Sequence, residues 1–334
     1  MKRESRGVFL KSRPKLVDLI RKRSEIISIM RRHLNAKGLV EVETPILTTY
    51  REGGPFVQFE TTHFITGRKF FLSFCPEDRL KRICCLFPEG VYEIARCFRP
   101  EMDDDSHLSE FSMLEVKQPN KNLEQEIELA FSLIQSCALE CCGSLKTGKY
   151  DFSQYNRVTC EEAVRETVGI NIFEEDAVLK ALSILDRVDS VKIKDRTSDW
   201  EIMDNLFKYF VEPQFRELTF LTDFPLALST ISRVDPNSKT AKRFTIVLDG
   251  VEIGDGGEKI IGSPGYRKLY EQNAVYRKDV LGIADHNEIC EDFLADIDIS
   301  DPVAGFGIGV DRFVAILCEA KLQHVVLFPK SFDC

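Results

Sequence analysis

Two segments far apart in the chain each set one arginine beside apolar, strand-like or glycine-rich sequence. The first is Phe98-Arg99-Pro100-Glu101, continuing to Glu110-Phe111; the second is Gly305-Phe306-Gly307-Ile308-Gly309-Val310-Asp311-Arg312. A guanidinium stays charged and bonds phosphate oxygens bidentately through its planar fork, so two such arginines can hold the two ends of a triphosphate. A dinucleotide site is excluded, because Gly305-x-Gly307-x-Gly309 has the wrong third spacing for that fingerprint and too little chain follows it. No Walker A sequence is present either.

The elements that must position these arginines are legible from periodicity. Leu16, Leu19, Ile20, Ile26, Ile27, Met30 and Leu34 recur at helical spacing over residues 14–35, and Lys37-Gly38 ends that helix. Residues 39–43 then alternate like a strand until Pro45 stops further pairing. Strands are predicted over 56–64 and 69–74 around Thr66-Gly67-Arg68, a helix over 77–86 and a strand over 91–96. Two antiparallel strands, 95–100 and 110–117, flank the polar loop 101–109. Helices follow over 122–142, 160–168 and 174–181, and residues 143–217 read as a small mixed insertion. Strands over 219–227 and 243–253, a helix over 264–284 and a strand-to-helix turn over 306–318 complete the order.

Composition bounds the function. The 334 residues are 43% apolar, enough for one large core with a modest insertion. A net charge of −9 argues against an extended nucleic-acid surface, although residues 1–13 form a basic arm with Lys2, Arg3, Arg6, Lys11 and Arg13. The 11 cysteines, an odd number without Cys-x-x-Cys pairs, predict reduced, mostly buried thiols and no structural zinc. No run spans a bilayer and no signal-peptide core follows Met1, so a cytoplasmic protein without a membrane partner is expected.

With Gly38-Leu39-Val40-Glu41-Val42-Glu43-Thr44-Pro45 upstream, the order of the two arginine segments resembles motifs 1, 2 and 3 of class II aminoacyl-tRNA synthetases. The likeness runs from about Pro14 onward and is to the subclass of lysyl, aspartyl and asparaginyl enzymes. Thr219-Phe220-Leu221-Thr222-Asp223-Phe224-Pro225, Lys242-Arg243-Phe244 and Gly250-Val251-Glu252-Ile253 resemble its core. It implies an α+β fold with an antiparallel sheet flanked by helices and cradling ATP. The catalytic domain would cover residues 14–334, with the insertion at 143–217 between motifs 2 and 3, and motif 1 would build a homodimer.

The resemblance also implies roles. Arg99 would bind the α-phosphate and the charge that develops there, and Arg312 would hold the γ-phosphate end. Glu101 would accept from the adenine amino group, His107 would meet the distal phosphates, Phe111 would stack on the base, and Glu252 would hold Mg2+. Few residues precede the first helix, so the N-terminal anticodon-binding barrel of the subclass is expected to be absent. In this the chain is similar to the elongation factor P lysine ligases, truncated relatives of the lysyl enzymes, whose pattern Cys75-Pro76-Glu77 and Leu80-Lys81-Arg82 match. Glu77 would then hold the substrate's amino group.

Three positions depart from that pattern. Lysine-activating members carry a tyrosine two residues after the glutamate matching Glu115, where this chain has Lys117. They carry a glutamate seven residues after the one matching Glu252, where this chain has Lys259. A substrate ammonium would meet like charge there, whereas a carboxylate would fit. Gly254-Asp255-Gly256-Gly257-Glu258-Lys259 resembles the glycine-rich strand of the aspartate and asparagine enzymes, and Phe328-Pro329-Lys330-Ser331 resembles the aspartyl terminus. Glu77, Glu115, Lys117, Asp255 and Lys259 are thus the expected amino-acid site, for an acidic amino acid. Third, Thr245 stands where the subclass has the acidic partner of Glu252, seven residues away; Asp249 substitutes only if the strand register differs.

These features imply ATP-dependent adenylation of the amino acid, followed by transfer to a protein, small-molecule or ammonia acceptor and not to tRNA. Ammonia would make the chain an asparagine synthetase related to the asparaginyl enzymes. Lysine or β-lysine ligation to elongation factor P and a non-catalytic amino-acid or nucleotide-binding paralogue are the other readings.

Overall fold

The computed structural model describes residues 6–52, 57–100, 104–188, 198–229, 231–283 and 289–329. In chain order the strands are β1 (Val40–Glu41), β2 (Leu47–Thr48), β3 (Glu60–Thr62), β4 (Lys69–Leu72), β5 (Val91–Phe98), β6 (Glu110–Pro119), β7 (Asn156–Thr159), β8 (Thr219–Pro225), β9 (Thr240–Leu248), β10 (Val251–Glu258) and β11 (Val303–Gly309). The helices are α1 (Arg6–Lys11), α2 (Pro14–Ala36), α3 (Glu77–Cys84), α4 (Leu123–Cys142), α5 (Cys160–Val168), α6 (Ala177–Leu185), α7 (Asp199–Leu206), α8 (Ser263–Asp279), α9 (Glu291–Asp298), α10 (Val310–Leu317) and α11 (Leu322–Val325).

Eight strands form one sheet in the order β1-β5-β6-β11-β10-β9-β8-β7. Its interior pairs are antiparallel, and only the outermost pairs, β1 with β5 and β7 with β8, are parallel. Alternation along the strands sorts the two faces. Leu114, Val116, Phe244, Ile246, Phe306 and Ile308 point to one face and pack with Ile26 and Met30 of α2, Ile127 and Leu133 of α4 and Phe313 of α10. Their neighbours in sequence, Met113, Glu115, Arg243, Gly307 and Gly309, face a large cavity on the other side. Helices α3 and α8 wall one end of it, and Tyr266 and Tyr270 of α8 pack with Phe293 of α9 behind them.

Several predicted elements change bounds. The strand expected over 39–43 is only Val40–Glu41. The separate strands at 91–96 and 95–100 are one continuous strand, Val91–Phe98. The stretch 243–253, expected as one strand, is a hairpin: Asp249 (φ 55°) and Gly250 (φ 77°) make the left-handed pair that a two-residue turn requires, and β9 and β10 run antiparallel on either side. The inserted region is not detached. Its helices share a core with Leu221, Phe224 and Val247 of the sheet, and β7 extends the sheet edge. Residues 6–11 of the basic arm form α1, and Arg6 is buried against the C-terminal segment, donating from Nε to the Leu327 carbonyl at 2.8 Å.

Candidate active site

The cavity over the sheet measures about 940 Å³ and has two chemically distinct ends. Arg99, His107, Phe111 and Arg312 line one end. Arg99 follows the last residue of β5, its amide bonds the Ser109 carbonyl at 2.9 Å, and its guanidinium lies 5.1 Å from the Phe111 ring centre. Arg312, in the first turn of α10, donates from Nη2 to the Ser106 carbonyl at 2.9 Å and from Nη1 to the Glu252 carbonyl at 2.5 Å. It thereby pins Ser106 to β10. Asp311 is 1% exposed and holds this corner: it takes Arg23 of α2 at 2.7 Å and the Ser112 amide at 2.7 Å. His107 Nδ1 sits 3.1 Å from Asp104. Partial burial alone would raise Asp104, but hydrogen bonds from Ser106 and His107 prevail and hold it at about 2. Glu101, expected on the adenine, lies outside the described residues.

The other end is an ion-pair nest. Glu77, at the start of α3, receives Lys259 Nζ at 2.9 Å, Lys81 at 3.6 Å and Lys117 at 3.7 Å. Lys117 is fully buried beneath Glu115 and bonds it directly. Gly307 on β11 gives the Glu115 carboxylate its room, since a Cβ there would lie 2.6 Å from Oε2. Burial pushes Glu77 up, but the three ammoniums, Lys259 foremost, outweigh it and hold the carboxyl well below its usual range. Burial pushes Lys117 down, yet Glu115 and Glu77 raise it above an ordinary lysine, so it stays charged. Lys81 also bonds Asp78 at 3.0 Å and the Tyr266 hydroxyl at 3.3 Å. Cys75, Glu77 and Glu115 bring ligand atoms within 4.8 Å of one another. Lysines already neutralise those carboxylates, which leaves them little charge to offer a metal ion.

Glu252 stands at the end lined by Arg312. A bulge leaves Ile253 unpaired, so that Glu252 pairs with Val247 and Asp255 pairs with Thr245. The extra residue brings Glu252 and Asp255, three apart in sequence, to the same face. Asp255 accordingly sits near Glu252 and pairs with Arg243 at 3.7 Å; its contacts lie at this end and not in the Glu77 nest. Enclosure in the cleft, with Glu212 and Asp255 close by, pushes Glu252 up to about 8. The Thr245 hydroxyl is buried without a hydrogen-bond partner among the described residues. Asp249 is at the hairpin turn, bound to Lys149 at 2.6 Å, and does not reach this cluster. Hard carboxylate oxygens beside an orphaned hydroxyl suit Mg2+.

Sequence reasoning missed Asp204 and Glu212, which join Glu252 from the inserted region. It also missed Glu126 of α4, whose two carboxylate oxygens are buried without hydrogen bonds. Burial pushes Glu126 up to about 8 against the pull of Lys117, Lys259 and Lys121. No local signal marks Asp204 or Glu212; Glu126 had one, a charge on the apolar stripe of a helix.

Comparison with known proteins shows the family of the chain. The family described as tRNA synthetases class II (D, K and N) matches residues 1–332. A lysine–tRNA ligase of Enterococcus faecalis is 30% identical over 321 residues, covering 93% of this chain and 64% of its own. Lysine–tRNA ligase 2 of Methanosarcina mazei is 30% identical, covering 92% and 61%, and the lysine–tRNA ligase of Mycoplasma genitalium is 29% identical, covering 94% and 65%. The chain spans less than two thirds of the length of these relatives. No helix among the described residues is long and apolar enough to cross a membrane.

Proposed function

The chain belongs to the class II tRNA synthetases (D, K and N), and from that membership we propose that it activates an acidic amino acid with ATP and passes the acyl group to an amine and not to tRNA. A carboxylate oxygen of the amino acid attacks the α-phosphorus, the bond to the β-phosphate oxygen breaks, and pyrophosphate leaves. The acceptor amine then attacks the acyl carbon of the adenylate, AMP departs with the bonding pair, and the amine loses a proton.

The observation that carries this reading is the charge balance of the Glu77 nest. Once its reacting carboxylate is committed to the phosphate, an acidic amino acid has one ammonium and one carboxylate left. Glu77 and Glu115 offer the ammonium two partners, and Lys259 and Lys81 offer the carboxylate cations, with Lys117 beneath. Substrate entry exchanges internal ion pairs for equivalent ones and leaves no buried charge alone. A lysine side chain would bring a second ammonium to carboxylates that already hold three. Arg99 and Arg312 offer fixed positive charge where the phosphates would lie, with no reorganisation at the moment of reaction. Mg2+ bound at Glu252 would supply further offset of the triphosphate charge. The net charge of −9 supports an acceptor other than a nucleic acid.

ATP–pyrophosphate exchange across the standard amino acids and β-lysine tests the reading. Exchange confined to aspartate or glutamate supports it. Lysine is the second reading, favoured by the names of the relatives, and exchange with lysine or β-lysine alone would replace the first. Aspartate-dependent AMP release that rises with ammonium selects the asparagine synthetase, and acid-labile aminoacyl-tRNA selects a tRNA acceptor. Nucleotide binding with no exchange for any amino acid would make the chain a non-catalytic paralogue. Sedimentation of the purified chain tests the homodimer that motif 1 implies.

A further inference from the structure

Thr245 leaves Glu252 without an acidic partner on the neighbouring strand, yet the surroundings of Glu252 are not poor in carboxylates. A small cavity of about 20 Å³ opens between β9, β10 and the inserted region, lined on its polar side by Thr245, Glu252, Arg243, Asp204 and Glu212 and otherwise by apolar side chains. Such a volume holds about one water or one small ion, since one water needs roughly 10–15 Å³ of this kind. The buried Thr245 hydroxyl, 3% exposed, lines it and has no hydrogen-bond partner among the described residues. Asp204, Glu212 and Glu252 also line the large cavity, so the small one adjoins the expected position of the distal phosphates.

We propose that Glu212 and Asp204, from the inserted region, complete a Mg2+ site with Glu252 at the nucleotide end of the cavity, taking over from the acidic residue that Thr245 replaces. The proposal rests on the reading of this cavity as an ATP site. Glu212 lies beside the Glu252 amide, which draws its carboxylate toward the charged form against the effect of burial. It follows the π-helical turn Phe207–Val211, and Asp204 precedes that turn, so a local widening of the helix separates the two carboxylates. Arg243 offsets Asp204 and Glu252 only in part, because its guanidinium is shared: it donates to the Leu228 carbonyl, lies 4.6 Å from the Phe224 ring centre and reaches Asp255 at 3.7 Å. Asp204, Glu212, Glu252 and Asp255 together face Arg243, Lys208 and Arg312, which leaves the corner acidic. Mg2+ keeps several waters and uses phosphate oxygens, so a few carboxylates at the edge of an open cavity suffice.

Mn2+ is the probe. The full chain is titrated with MnCl2 in the presence of a non-hydrolysable ATP analogue, free Mn2+ is read by electron paramagnetic resonance, and analogue affinity in EDTA is measured by calorimetry. Glu212→Gln is expected to weaken Mn2+ by at least about tenfold, the lower bound for losing even an indirect metal partner, while analogue affinity in EDTA does not fall, since the change removes a negative charge from beside the phosphates. Asp204→Asn is expected to act in the same direction. Adding Thr245→Glu to Glu212→Gln is expected to recover most of the loss, which a misfolded variant would not do. Native Mn2+ affinity in both Glu212→Gln and Asp204→Asn overturns the proposal, as does a native chain that binds the analogue but no Mn2+. Failure to bind the analogue at all sinks the ATP reading instead. In that event Mn2+ titrated alone still decides, since equal affinity in the native chain and Glu212→Gln overturns the carboxylate site.

Discussion

Replacing Lys259 by methionine removes one charge from the Glu77 nest while keeping the length and packing of the stem, a fair trial because Lys259 is only 5% exposed. Its ammonium is 2.9 Å from Glu77, against 3.6 Å for Lys81 and 3.7 Å for Lys117. Two unit charges at such separations interact by about 4.5–6 kcal/mol at an effective dielectric near 20, and truncating one partner of a buried pair costs about 2–5 kcal/mol. Glu77 keeps two other cations, so the lower half of that range applies. A loss of about 2–3 kcal/mol in transition-state binding is roughly 30- to 150-fold in kcat/KM. The assay is ATP–pyrophosphate exchange with aspartate and glutamate, and the fall is expected for the acidic substrate with the KM for ATP unchanged. Lys259→Glu goes further: it returns the carboxylate that lysine-activating members carry and is expected to bring lysine exchange above background. Acidic-substrate exchange at native rates in Lys259→Met would refute the charge-balance reasoning, because the closest cation to Glu77 would then contribute nothing to the substrate.

Arg312→Lys keeps the charge but loses the fork that spans the Ser106 and Glu252 carbonyls, and pyrophosphate exchange is expected to fall by about 10²–10³; a native rate would show that Arg312 serves only the fold. Asp311→Ala strands Arg23 and the Ser112 amide, and because Arg23 retains some access to water the loss is expected near 3 kcal/mol, the lower end for breaking a buried pair. Urea unfolding should show it as a lower midpoint at constant slope, and no shift would mean the corner relaxes. Glu126 is held at about 8 in the fold against about 4.5 when unfolded, so the folded state binds the extra proton between those values. Stability from this group is therefore greatest at low pH and is lost as pH rises from about 4.5 to 8. Glu126→Gln is expected to raise the urea midpoint at pH 8.5 and to leave it nearly unchanged at pH 5; a gain independent of pH would contradict this.

Much of the site was legible because its parts are local. The periodicity of α2 and α4 announced the helices beneath the sheet, and the capping box of Asn122 with Gln125 fixes where α4 begins. The arginine segments carry their own context, a strand end for Arg99 and a strand-to-helix turn for Arg312. The hairpin at Asp249-Gly250 was legible in principle from its turn dipeptide, but apolar residues on both sides made 243–253 read as one strand. Lys117 and Lys259 were visible as charges, but not as partners of Glu115 and Glu77.

What the sequence alone determined was the set of elements, their order, and the residue types that could meet a triphosphate, because helix and strand periods and turn chemistry are written within a few residues of chain. What tertiary structure alone decided was which charges meet. The bulge at Ile253 turns Glu252 and Asp255 to one face, and the inserted region delivers Asp204 and Glu212 to the cavity. Lys259, from beyond the end of β10, closes on Glu77 at the start of α3. Those contacts depend on strand register and on how separate elements pack, and the free energy of a buried charge depends on every neighbour the fold brings to it.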